Sequence, residues 1–198
     1  MIRRVVTVGL AVAVVGVAAG AQTSRPASPR GSAEVQIGGR DGKWIELTYG
    51  RPLLRGRTNV FGAGAEYGQK LYAGAPVWRA GADVSTRIKT ETPLTIGGKT
   101  VPPGEYSLFV DLKENNWTLI VSSWGAKATG RDPNKDALWG AYEYTPAKDV
   151  ARVAMTVEKI PMSIEQLTWG FVDVTPAGGR LVLWWENTMA SAPFGVGP

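Results

Sequence analysis

Trp78 and Arg79 are adjacent, and a second arginine, Arg51, closes a Tyr-Gly-Arg run. A guanidinium is a rigid donor fork for carboxylate or phosphate and stacks on aromatic rings. Arg51 and Arg79 together would frame an anion-binding pocket. The alternative is structural. Buried charges are normally paired, so Arg79 would pair with Asp83 or Glu186 and fasten strand ends. Arg51, Trp78, Arg79, Asp83 and Glu186 are therefore the candidate ligand-binding set. The acids Asp83, Asp111, Glu143, Asp149, Glu165 and Glu186 are the pool from which a glycosidase-type carboxylate pair would come. One sequence gives no separation between them, and no catalytic set is assigned.

What the chain lacks removes whole mechanisms. It has no histidine and no cysteine. Ser-His-Asp and Cys-His nucleophilic catalysis cannot be assembled within one chain. Zinc, copper and haem lose their usual ligands, and a metal site would have to be all-oxygen. The nearest approach to a calcium loop, residues 131–136, carries two basic residues and is rejected. A Gly-x-Gly after Phe61 lacks the strand-to-helix setting of a nucleotide fingerprint. No cofactor and no metal is expected. Any general base would be a carboxylate, a lysine or a tyrosine.

Eight tryptophans are many for 198 residues. Trp117, Trp169, Trp184 and Trp185 sit in alternating runs, where core packing is the default. Trp124 and Trp139 lie in or beside loops. With Tyr142 and Tyr144 they would form either an exposed aromatic platform or a loop stapled onto the domain.

The N-terminus reads as an address. Arg3 and Arg4 precede an apolar run from Val5 to Ala19, and Ala19-Gly20-Ala21 fits a small-x-small cleavage site. Residues 1–21 are read as a signal peptide and 22–31 as a disordered leader. The run is shorter than the ~20 residues a spanning helix needs, and no second apolar run follows, so no transmembrane segment is expected after cleavage. The product would be exported, to the periplasm or beyond. Cleavage changes the net charge from +5 to +3, because two arginines and no acids are lost. Lysines and arginines are scattered singly, which argues against a nucleic-acid partner.

The elements that must hold these residues are strands. Ile45, Leu47 and Tyr49 share one face, as do Tyr106, Leu108, Val110 and Leu112. Trp117, Leu119 and Val121 follow the same rule. So do Val153, Met155 and Val157; Trp169 and Phe171; and Leu181, Leu183 and Trp185. Gly97-Gly98 signals a two-residue hairpin, and Pro102-Pro103-Gly104 marks a bend or sheet edge. Helical candidates are short, near 65–72 and 136–141. About eight or nine strands at this spacing predict an all-β fold, an antiparallel β-sandwich (jelly-roll-like or a related barrel) with one or two short helices. Residues 50–75 and 123–135 read as long loops.

The motifs also form an ordered set. Tyr49-x-Arg51-Pro52, Gly56-Arg57, Phe61-Gly62, Val77-Trp78-Arg79-x-Gly81-Ala82 and Thr86 come first. Ile96-Gly97-Gly98-Lys99, Pro103-Gly104-x-Tyr106-Ser107-Leu108-Phe109, Trp117, Trp139-Gly140-x-Tyr142 and Trp185-Glu186 complete it. The set resembles the exported bacterial proteins grouped as domain of unknown function family 2911. The resemblance implies one β domain at 32–191, a tail at 192–198 and an exported address, and no mechanism. Where the family tends to carry Asn-Glu after Trp-Arg-x-Gly-Ala, this chain has Asp83 and Val84. The function expected is a non-catalytic exported β-sandwich that binds a small ligand, glycan or protein partner in the cell envelope. Two alternatives stay open: a carboxylate-dependent hydrolase acting on a glycan, and a purely structural envelope protein.

Overall fold

The computed structural model describes residues 27–197. The expected signal peptide and the first part of the leader lie outside the described residues. Two antiparallel sheets pack face to face, as expected of a sandwich. The larger contains β1 (Arg30–Ile37), β2 (Lys43–Gly50), β3 (Thr86–Thr90), β6 (Gly104–Asp111), β7 (Thr118–Ser122) and β10 (Asp149–Ala154), paired in that order. The smaller runs β11 (Thr156–Thr175), β12 (Gly178–Val196), β4 (Leu94–Ile96), β5 (Lys99–Val101). A two-residue parallel pair, β8 (Gly125–Ala126) with β9 (Ala137–Leu138), stands apart. One four-residue helix, α1 (Gln69–Tyr72), falls within the expected 65–72. Among the described residues no helix is long and apolar enough to cross a membrane.

Alternation places the core. Ile45, Leu47 and Tyr49 on β2, Ile88 on β3, Leu108 and Val110 on β6, and Leu119 and Val121 on β7 all point inward and are buried. They meet Leu94 and Ile96 on β4, Leu167 and Trp169 on β11, and Leu181, Leu183 and Trp185 on β12. The Gly97-Gly98 turn joins β4 to β5 with Ile96 opposite Lys99, both glycines at positive φ. Pro102-Pro103 then carries the chain from one sheet to the other, and the Tyr106 hydroxyl donates to the Pro102 carbonyl at 2.9 Å. The prolines sit where no ladder bond is needed.

The inward face of β12 changes parity at Glu186. Leu181, Leu183 and Trp185 are buried upstream, and Thr188, Ala190, Ala192 and Phe194 downstream. Glu186 has φ 54°, and the β11–β12 register slips on both sides of its pair with Ile164. An extra residue in a strand reverses every later side chain, which is what a bulge does.

The larger sheet is buried on its outer face too. Phe109 and Ile120 point away from the sandwich and are covered by Ala75, Val77, Leu138, Ala141 and Tyr144, with Trp124 packed against them. The segment 123–146 is therefore a stapled layer. Tyr144 is buried, Trp124 and Trp139 are half-buried, and Tyr142 is exposed. The Tyr144 hydroxyl donates to the Asp149 carboxylate at 2.8 Å and accepts from Arg152 Nη2 at 2.9 Å.

Four expectations are corrected. Residues 136–141 are not helical: Ala137 and Leu138 pair with Gly125 and Ala126, and Gly140 sits at φ 62°, which ends any helical path. Val153, Met155 and Val157 do not share one strand, because the chain leaves β10 after Ala154 and enters β11 at Thr156. Among the described residues there are twelve strands, the excess over eight or nine coming mainly from very short pairs. The ordered domain also exceeds 32–191. β1 begins at Arg30, and residues 192–196 of the expected tail are strand, because Gly195 and Val196 pair with Thr95 and Leu94 while Ala192 and Phe194 are buried.

Two predictions follow from this packing. A Cβ on Gly97 would collide with the Arg152 carbonyl, whereas one on Gly98 would meet open space. In urea denaturation, Gly97→Ala is expected to lose about 2 kcal/mol or more, and Gly98→Ala only the ~1–2 kcal/mol of a left-handed alanine. The second concerns tyrosines. Burial, reinforced by neighbouring carboxylates (Asp111 and Asp149 respectively), pushes Tyr72 and Tyr144 up from 10 to about 12. A folded pKa above the unfolded one gives stability that is whole below pH 10 and is lost as pH rises toward 12. Tyr144→Phe should lower stability at pH 7 and make its decline between pH 10 and 12 shallower, read by denaturation at fixed pH values.

Candidate functional site

The motif segments meet in space. Phe61 packs its ring against Trp117 at 4.8 Å and edge-on to Trp78 and Trp185 at 6.1 and 6.0 Å. Trp78 stacks on Trp185 at 6.3 Å, with 15° between planes. Both rings are 1% exposed. Trp185 Nε1 has no acceptor among the described residues, a cost of about 1–3 kcal/mol that ring packing must offset. The Trp78 backbone exchanges two hydrogen bonds with Val110, so this loop residue is bound to the edge of β6's ladder. Next to it, the Ala80 carbonyl accepts from Trp169 Nε1 at 2.8 Å and Thr86 Oγ1 at 3.1 Å. Gly50 lies so close to the Ala82 carbonyl that no Cβ fits.

The five candidate residues do not form one ligand-facing cluster. Trp78 is core. Arg79, on the alternate side, holds its guanidinium 5.3 Å over the Tyr142 ring and donates from Nη1 to the Asp83 backbone carbonyl at 3.0 Å. The expected pairing of Arg79 with the Asp83 or Glu186 carboxylate is not made. Asp83 itself is exposed, at φ 62°. Arg51 donates from Nε to the Leu167 carbonyl at 3.3 Å and from Nη2 to Thr168 Oγ1 at 3.2 Å, tying the exit of β2 to β11. Each arginine is thus engaged with its own partners. Glu186 accepts from the backbone N–H of Asn59 and, at 3.2 Å, of Val60. Its carboxylate ties the 58–63 loop to the bulge of β12.

That loop walls a cleft at one end of the sandwich. The cleft, about 490 Å³, is lined by Asn59, Phe61 and Tyr67, by Glu114 and Asn115 of the β6–β7 loop, by Met155 between β10 and β11, by Val157, Glu158 and Lys159 at the start of β11, and by Thr188. A smaller cavity of about 290 Å³ flanks the other side of the loop, with Glu66 and Lys70 at its wall. The cleft floor is fixed: Trp117 Nε1 donates to Tyr67 Oη at 2.7 Å, and Glu114 Oε2 accepts from Gly64 N at 3.0 Å. An apolar groove of about 340 Å³ lies elsewhere, lined by Ile160, Pro161, Met162, Ile164, Thr168 and Trp184. Its polar groups are the Thr168 hydroxyl, which already bonds Arg51 and the Gln166 carbonyl, and the Trp184 indole N–H, and no charged side chain lines it. Of the cleft's lining residues, the sequence motifs singled out Phe61 and Gly62. Glu186, a candidate ligand-binding residue by sequence, anchors the loop and does not line the cleft. The other lining residues come from separate segments with no shared spacing.

Fold and cleft define an all-β sandwich with a preformed end cavity braced by aromatic packing. The chain belongs to the family described as protein of unknown function (DUF2911), which it matches over residues 28–194. No curated protein and no solved structure matches it.

Glu186→Ala would leave the Asn59 and Val60 donors without their carboxylate. A loss of about 1.5–3 kcal/mol is expected, with faster amide exchange at Asn59 and Val60. Glu186→Gln, which keeps an acceptor oxygen, should lose less on both measures.

Proposed function

We propose that this is an exported protein of the cell envelope whose β-sandwich binds a small ligand in the end cleft without converting it. The observation that carries the reading is the cleft itself. Its volume lies in the range of small-ligand sites, and the apolar Phe61, Met155 and Val157 sit there among a larger set of polar side chains. Its walls are held by interactions made without a ligand: Glu186 on the loop, Trp117 on Tyr67, Glu114 on Gly64. A preformed site loses little entropy on binding. Export rests on the N-terminal charge, apolar run and cleavage pattern. Arg51, Trp78, Arg79 and Glu186 serve this reading as supports of the site's surroundings, through the contacts above.

A hydrolytic reading has one foothold, since Glu114 and Glu158 line the same cleft. Both readings are tested together by native mass spectrometry of the chain from Gln22 onward, incubated with fractionated envelope extract. Val157 is 37% exposed at the cleft and stands in a strand, so Val157→Trp fills the cavity without disturbing the core. The expected result is a discrete added mass on the wild type and at least a tenfold smaller adduct on Val157→Trp. An equal adduct on both would move the site elsewhere. A ligand recovered cleaved, with cleavage lost in Glu158→Gln, would replace binding with hydrolysis.

A further inference from the structure

The cleft has an electrostatic sign. Its charged side chains are two carboxylates, Glu114 and Glu158, and one ammonium, Lys159. Lys159 Nζ is already donating to Asn187 Oδ1 at 3.3 Å and Thr188 Oγ1 at 3.2 Å. Glu158 has no ion-pair partner among the described residues, so its carboxylate is an unused acceptor. Tyr67 supplies the complementary donor. Its oxygen accepts from Trp117 Nε1, which sets the hydroxyl's direction, and its own proton has no protein acceptor among the described residues. Burial raises the Tyr67 pKa, and the Glu114 charge adds to the rise, so the group stays a protonated donor at neutral pH. The amides of Asn59 and Asn115 line the same space.

We infer that the cleft, granted the binding role proposed above, selects a polyhydroxylated ligand that is neutral or carries an ammonium group, and rejects anions. Glu158 accepts from ligand hydroxyl or ammonium, and Tyr67 donates to a ligand oxygen. A sugar-like molecule meets both demands, because each hydroxyl donates and accepts while its C–H faces pack on Phe61, Met155 and Val157. Hydrogen bonds to an ionised carboxylate are roughly twice as strong as neutral ones. A phosphate or carboxylate ligand would meet two carboxylates against one ammonium, which keeps its charge while bonded to Asn187 and Thr188, so the net sign of the cleft's lining opposes it. The two motif arginines, which on sequence alone point to an anion, do not line the cleft.

The test is titration calorimetry of the chain from Gln22 onward with three tetrasaccharide probes: glucosamine, N-acetylglucosamine and glucuronate oligomers. The amine and neutral probes are expected to bind, and the anionic one at least tenfold more weakly. Glu158→Gln should weaken the amine probe about tenfold and leave the melting temperature unchanged. Tyr67→Phe should weaken both bound probes. Equal or tighter binding of the glucuronate probe overturns the inference. So does a failure of all three probes. In that case an extract adduct lost in Val157→Trp would leave the cleft as the binding site for some other chemistry, and its absence would remove both readings.

Discussion

The packing of Phe61 between Trp78, Trp117 and Trp185 is the interaction on which the rest depends. With no cysteine in the chain, no covalent link braces the two sheets. Stability must come from burial, and this cluster joins the 58–63 loop, the segment before β3, the entry to β7 and the middle of β12. Truncating one such ring typically costs about 3–5 kcal/mol. Because the four rings come from four distant segments, that loss would be felt across both layers at once.

Glu186 sits beside this cluster and links strain to function. A non-glycine residue at φ 54° in a strand is unfavourable by itself. The bulge it creates reverses the inward face of β12, so that Ala192 and Phe194 reach the core. The same geometry aims its carboxylate at the backbone of the 58–63 loop. One local distortion thus closes the far end of the sandwich and shapes the cleft wall. The motif arginines work similarly, as clamps between segments: Arg51 on β11, and Arg79 on Tyr142 and the Asp83 carbonyl.

Much of the framework was legible. Period-2 alternation picked out the inward faces of β2, β6, β7 and the first half of β12, because a strand's side-chain direction is set by its own backbone. The Gly97-Gly98 hairpin and the Pro102-Pro103 crossing were equally plain, since their φ demands are local. The misreadings share a cause. Residues 136–141 carry apolar residues at helix-compatible spacing, but what buries Leu138 and Ala141 is the outer face of β6 and β7. Val153 to Val157 keep alternation across a strand break, so periodicity alone could not find the gap.

By itself the sequence determined the fold class, the hairpins, the inward faces, the absence of thiol and imidazole chemistry, and membership of the family. These depend on residue type and on neighbours within a few positions. Tertiary structure alone decided where the candidate residues go and what they touch. Arg51 and Arg79 are spent on backbone carbonyls, a hydroxyl and a ring, and Glu186 on two amides. The cleft draws on residues from Asn59 to Thr188. Nothing in their spacing announces that meeting, because it is set by which ring packs on which and by a one-residue bulge, not by any local preference of the chain.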